Sequence, residues 1–286
     1  MEYEPKIIPE GINTSREHPM RELFVLVSGL AVVVVVVTSL LAVSTDFLIQ
    51  YIPLEKENAW FANETFIDAE VTDADSGTLL EVEVEQQLQQ LVVKLQDQEK
   101  TGYRFTVSLL RSEVPNAFVV PGGQIFVTSG LLETVASENG LAMVLTHEMA
   151  HQYHRHPLRS LGRGVVLSLV LMVISGVEGG GLVESFVGNT ALLTSLSFSR
   201  EQEHEADLLG IDLLTKHYGH ASGASEFFEA VLERPEADSE MPEFLSTHPG
   251  IEGRIDLLRS YGRQSGGDVT PLPEVIGRYL ESIQNA

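Results

Sequence analysis

The chemistry-bearing stretch of this chain is His147-Glu148-Met149-Ala150-His151, set in a run of helix-forming residues. Residues four apart share one face of a helix, so His147 and His151 can grip a single ion together. Glu148 lies about 100° round the helix from His147, close enough to take a proton from a water beside that ion. Two imidazoles and a base in this spacing point to metal-assisted hydrolysis, with zinc as the metal. The plain alternative, a surface helix with scattered polar groups, gives no reason for the spacing.

Two histidines do not complete a hydrolytic zinc site; three protein ligands and a water do. A third histidine ten residues after the first is excluded, because that position is Pro157, and position 154 is His rather than the glycine such a turn needs. His154 cannot join the same ion from one straight helix, since seven residues span about 10 Å. His154 and His156 read as a polar helix end. The remaining source is the acidic helix beginning at Ser199-Arg200. It carries two carboxylate pairs at four-residue spacing, Glu201 with Glu205 and Glu203 with Asp207. Ala206, Leu209, Gly210, Leu213 and Leu214 form its apolar arc; Glu203 and Asp207 edge that arc, whereas Glu201 and Glu205 lie opposite. A ligand must face the interior, so Glu203 is the expected third ligand. Asp207, one turn on, can accept the other ring N–H of a ligating histidine and fix its tautomer. Glu201 and Glu205 read as solvated carboxylates.

The elements that must position these groups follow from patterning. Leu79 to Gln98 has helical periodicity, Tyr103 to Leu110 alternates as a strand, and Pro115–Val120 and Gln124–Val127 flank Pro121-Gly122-Gly123 as a hairpin. Leu131 to Ala136 starts a helix that Ser137-Glu138-Asn139-Gly140 breaks, and Leu141 to His156 carries the motif. Further helices are expected at Arg200 to about Lys216, Ser225–Leu232, Ile251–Tyr261 and Leu272–Ile283. The expected class is mainly α, an α+β fold with a small sheet edge and the motif helix. Ahead of it, Leu23 to Val43 carries no charge and extends about 31 Å as a helix, enough for a bilayer core. The expected organisation is a cytoplasmic tail over 1–22, a transmembrane anchor over 23–45, a juxtamembrane linker over 46–77 and a catalytic domain over 78–286. Within that domain an apolar hairpin over 160–198 is either a buried helical pair or a pair that dips into the membrane, with Val165–Val177 and Leu182–Phe198 as its limbs. Lys6, Arg16 and Arg21 precede the anchor and only Lys56 follows nearby, so the positive-inside rule puts the N-terminus in the cytoplasm and the bulk of the chain across the membrane.

The net charge is −23 and the chain has no Cys. Disulfides and thiolate metal sites are thereby excluded, and so acidic a surface repels nucleic acid.

At this point the chain resembles the HtpX / CAAX-prenyl-endopeptidase type of gluzincin, metallopeptidase family 48. The resemblance rests on Asn116-Ala117-Phe118 before Pro121-Gly122-Gly123, on His147-Glu148-Met149-Ala150-His151, on Ser199-Arg200 leading through Glu203 to Ala206-Asp207, and on Ser246-Thr247-His248-Pro249 leading to Arg254-Ile255. It implies a zinc endopeptidase with Glu203 as third ligand, and a helical insertion between His151 and Glu203 that sits at the membrane. The chain departs from the many-spanning prenyl-protease type in having one clear transmembrane segment. The resemblance also brings His248 near the site. Three roles are open for it: a donor that steadies the negative oxygen forming on a peptide carbonyl, a structural group, or an inhibitory fourth zinc ligand. The strand at Asn116, Ala117 and Phe118 is expected to hold substrate by backbone pairing, which accepts many sequences and favours unfolded or membrane-associated protein substrates. The rival from another class is a zinc-stabilised membrane chaperone or adaptor; Glu148 argues against it, because a scaffold has no need of the base.

Overall fold

The computed structural model describes residues 19–61, 78–98, 102–175, 197–233 and 243–285. Its organising element is α5 (Glu138–Tyr153), in which every residue from Asn139 to Gln152 is buried. A helix apolar along one stripe only would lie on a surface; one enclosed on all sides sits at the centre. Around it pack α3 (Leu79–Gln96), the sheet and α7 (Arg200–Tyr218). The polar residues of α5 are therefore also enclosed and must find partners inside the protein.

Local signals fix these helices. Thr78 and Glu81 form a reciprocal capping box at the start of α3, and Ser199 with Gln202 does the same for α7. Ser137 caps the amide of Gly140 and so begins α5. The segment expected to break a helix is thus the first turn of the motif helix, because a hydroxyl before an acidic first turn is a start signal. A shorter helix, α4 (Ser129–Thr134), precedes it.

The sheet has the order β1-β3-β2, with β1 (Thr106–Leu110) parallel to β3 (Gln124–Thr128) and β2 (Ala117–Val120) antiparallel to it. The β2–β3 turn passes through Gly122 and Gly123 at φ of 95° and 91°. At Gly123 a Cβ would also stand 2.9 Å from the Arg104 carbonyl oxygen, so the turn needs glycine there. The fold is mainly helical with a small sheet, as the patterning implies.

α1 (Pro19–Ile49) is long and apolar enough to cross a membrane. α6 (His156–Ser175) starts earlier than the apolar limb at Val165 suggests and packs along α1. A Cβ on Gly162 would lie 2.5 Å from the Thr45 methyl, and Arg163 pairs with Asp46 at 3.2 Å. The second limb of the expected hairpin lies almost wholly outside the described residues. The stretch expected to be a linker contains α2 (Leu54–Phe61), whose Glu57 is buried and accepts from Gln152 Nε2 at 2.6 Å. Arg155 donates to the Ile49 and Ile52 carbonyls at 2.9 and 2.6 Å, tying the end of α1 to the end of α5. The C-terminal part comprises α8 (Glu226–Glu233), α9 (Glu243–Thr247), α10 (Ile251–Ser265) and α11 (Glu274–Gln284).

Candidate metal centre

Helical period brings His147 and His151 to one face of α5, and α7 lies against that face. Gly210 allows the close approach: a Cβ there would meet the His147 backbone nitrogen at 3.3 Å and the Met143 methyl at 3.0 Å. About two turns earlier on α7, Glu203 reaches both rings, its oxygens 3.4 Å from His147 Nε2 and 3.4 Å from His151 Nε2. The two Nε2 atoms are 3.0 Å apart. His248, between α9 and α10, brings its Nδ1 to 3.1 Å from both Glu203 oxygens and 3.4 Å from His147 Nε2. All four side chains are buried, and their ligand atoms lie within 4.8 Å of one another.

This set fits zinc. Bonds of about 2.0–2.1 Å in a tetrahedral shell put neighbouring donors about 3.3 Å apart, close to the spacings between these atoms. The electrostatics agree. Burial and the charge of Arg254 depress the His147 imidazole, yet hydrogen bonds with Asp207 and Glu203 outweigh them and lift it to about 9. Burial resists ionisation of Glu203, but His248, His147 and His151 hold its carboxyl well below the usual range. Burial pushes the His151 imidazole the other way, well down, and Glu203 is left as the negative group that draws positive charge to the centre.

A buried outer ring of contacts orients the ligands. Asp207 Oδ1 is 3.1 Å from His147 Nδ1. Arg254 grips Asp207 through two bonds of 2.8 Å and pairs with Glu203 at 2.5 Å. On the far side, His151 Nδ1 meets His156 Nδ1 at 2.9 Å, and His156 Nε2 meets Glu205 at 3.2 Å. Phe198 stacks on His151 with ring centroids 3.9 Å apart, and His248 stacks on Phe244 at 4.4 Å.

Glu148 points to the sheet rather than to α7. Its Oε2 accepts the Val119 amide at 3.1 Å, while its buried Oε1 has no hydrogen-bond partner among the described residues and lies 3.7 Å from His248 Nε2. Burial pushes its carboxyl up, against the pull of His248 and His147. β2 is an outer strand. Asn116 O accepts from Thr128 N–H, so by antiparallel alternation the Ala117 and Val119 amides turn away from β3, towards Glu148. Asn116 and Ala117 are buried and Phe118 is half-buried, stacked on Phe126.

Sequence reasoning misses two of these groups. The pattern places His156 in a polar helix end, whereas it is buried and bonded to His151 and to Glu205, whose carboxylate is exposed as its helix face implies. Arg254 was noted only as part of a motif. A lone basic residue whose partners lie on another helix carries no local signal.

The model of peptidase family M48 matches residues 79–261, which includes every residue of this centre. The chain belongs to peptidase family M48. Curated relatives include the mitochondrial metalloendopeptidase OMA1 of Schizosaccharomyces pombe, 34% identical over 159 residues, which are 55% of this chain and 47% of that protein. The metalloendopeptidase OMA1 of Danio rerio is 31% identical over 217 residues, 72% of this chain and 45% of its own length. The beta-barrel assembly-enhancing protease of Escherichia coli is 29% identical over 175 residues, 58% of this chain and 35% of its own. The chain thus spans less than half the length of these family relatives.

Proposed function

We propose that this protein is a membrane-anchored zinc endopeptidase that hydrolyses peptide bonds of unfolded or misassembled proteins in envelope quality control. The observation that carries the reading is the pairing of a buried His147–His151–Glu203 donor set with a neighbouring carboxylate oxygen, Glu148 Oε1, that accepts no hydrogen bond from the described residues. Zinc held by those three side chains supplies Lewis acidity, easing loss of a proton from water and polarising a peptide carbonyl. Glu148 Oε1 takes the proton of the attacking water and later returns it to the leaving amine. The Val119 amide holds the other oxygen of Glu148, so the base is presented in one orientation. The Ala117 amide, the outward amide of β2 that Glu148 does not take, offers an extended substrate backbone pairing at this outer strand, which reads backbone rather than sequence and favours unfolded chains. Membership in family M48 and the metalloendopeptidase names of the relatives support the same reading.

The test is metal removal. The full chain purified in detergent is expected to hold one zinc and to cleave reduced casein; chelation abolishes cleavage and stoichiometric zinc restores it. Cleavage that survives complete zinc removal sinks the assignment.

α1 supplies the anchor, and the packing of α6 along it supports entry of the apolar stretch from Val165 into the bilayer beside it. The basic residues before α1 favour the metal centre on the non-cytoplasmic side.

For His248 the distances favour the fourth-ligand role. With Nδ1 within 3.4 Å of His147 and 3.1 Å of Glu203, the ring stands where the fourth donor of a tetrahedral shell belongs. Held there, His248 would take the place that the attacking water needs and would restrain the enzyme. The His248→Ala protein is expected to keep its zinc and to cleave casein severalfold faster than the parent in a steady-state assay. A fall in kcat with unchanged zinc binding returns His248 to an oxyanion-steadying role.

A further inference from the structure

Behind the metal centre lies a second cluster. His154, His156 and Glu205 each bring a ligand atom within 4.8 Å of the others. His156 is buried, His154 is half-buried and Glu205 is exposed, so the cluster opens to solvent on one side. Two imidazoles and a carboxylate, with water completing the shell, form a zinc-binding donor set. The rings of His154 and His156 lie 17° from parallel with centroids 5.3 Å apart, one above the other beside the Glu205 carboxylate. The charge of Arg159 bears on both and opposes a cation, which keeps such a site weak and exchangeable rather than structural.

We propose that His154, His156 and Glu205 form a second, exchangeable zinc site that restrains the enzyme when free zinc is high. The restraint rests on the endopeptidase reading above; the binding does not.

The two sites share His156. His151 offers Nε2 to the first ion, so its own proton sits on Nδ1 and is donated to His156 Nδ1 across 2.9 Å. The proton of His156 is then on Nε2, donated to Glu205 across 3.2 Å. A metal ion in the second site needs the Nε2 lone pair. The proton displaced from Nε2 moves to Nδ1 of the same ring, where it faces the N–H of His151. Two donors then meet with no acceptor between them, and His151 loses the contact that orients it. Loss of an outer partner of a zinc-bound histidine costs about 10- to 100-fold in metal affinity or activity. Filling the second site therefore works against the first.

The experiment counts zinc and measures cleavage separately. Full-length Glu148→Gln protein, which cannot digest itself, is stripped of metal and equilibrated with zinc alone in dialysis. It is expected to take up a second equivalent, whereas the same protein carrying His154→Ala, or His154→Asn as a second variant, takes up one. Cleavage of casein by the parent chain is expected to peak at the first equivalent and fall about 10- to 100-fold as the second binds. The His154→Ala chain holds its plateau. A single equivalent in all proteins overturns the proposal, and so does equal zinc inhibition of the parent and His154→Ala. Two equivalents with no cleavage at any zinc level sink the endopeptidase reading and the restraint with it, while the second site stands.

Discussion

Glu148→Gln is expected to retain zinc and lose about 10²- to 10⁴-fold or more in casein cleavage. Gln has the shape of Glu, and its carbonyl oxygen can still accept the Val119 amide that Glu148 Oε2 accepts at 3.1 Å. What it lacks is the atom that matters. Glu148 Oε1 is buried without a hydrogen-bond partner among the described residues, and an amide in its place cannot take a proton. Zinc content should not change, because Glu148 is absent from the donor cluster. Nor should the fold weaken: burial already disfavours the charge of Glu148, so a neutral group removes an unfavourable term. Metal analysis, thermal unfolding and turnover of one preparation separate these expectations. Undiminished cleavage by the clean variant would remove Glu148 from the reaction.

The second large effect is expected at Arg254→Met, as a loss of stability and of zinc together. Arg254 is buried, bonded twice to Asp207 at 2.8 Å and paired with Glu203 at 2.5 Å. Removing one partner of a buried ion network leaves the others charged without compensation, at a cost of about 3–5 kcal/mol. Burial raises the Asp207 carboxyl, and His147 and Arg254 together pull it below its ordinary 3.8. A depressed carboxylate contributes stability that is present above its unfolded pKa and lost as pH falls through the folded one. Without Arg254 the folded value rises, so that contribution shrinks and acid unfolding begins at higher pH. Asp207 then holds the His147 N–H less firmly, and zinc affinity falls about 10- to 100-fold. Arg254→Lys should recover only part, since an ammonium cannot reproduce the two-pronged grip. Denaturant unfolding of the zinc-free protein, with zinc titration alongside, reads both effects.

Much of this centre is legible in the chain because helices impose a period. The four-residue spacing of His147 and His151, and the apolar arc that turns Glu203 and Asp207 inward while leaving Glu201 outside, are consequences of 3.6 residues per turn. The Pro121-Gly122-Gly123 turn marks the strand at Asn116, and family resemblance adds His248. His156 was hidden for a different reason. Its place depends on a break after Tyr153, where Arg155 takes a left-handed conformation at φ 57°. That bend starts α6 at His156 and swings its ring beneath His151. A non-glycine residue seldom adopts this conformation unaided, and Arg155 is held there by Tyr103 and two carbonyls near the end of α1. No window of sequence around His156 contains those partners. The same holds for Arg254, for Glu57 inside the supposed linker and for the parallel pairing of β1 with β3, each fixed by a distant contact.

The hold of Arg155 on the end of α1 has a consequence for geometry. With α1 in a bilayer under the proposed anchoring, the metal centre is not a ball on a string. Arg155, the Arg163–Asp46 pair and the Gly162–Thr45 contact splint the anchor to the catalytic body. Under the proposed peptidase activity the cutting point would then stand at one height above the lipid, and the membrane would become a ruler. Which bond is cut depends less on the residues flanking it than on how far from the lipid surface a substrate presents an unpaired strand.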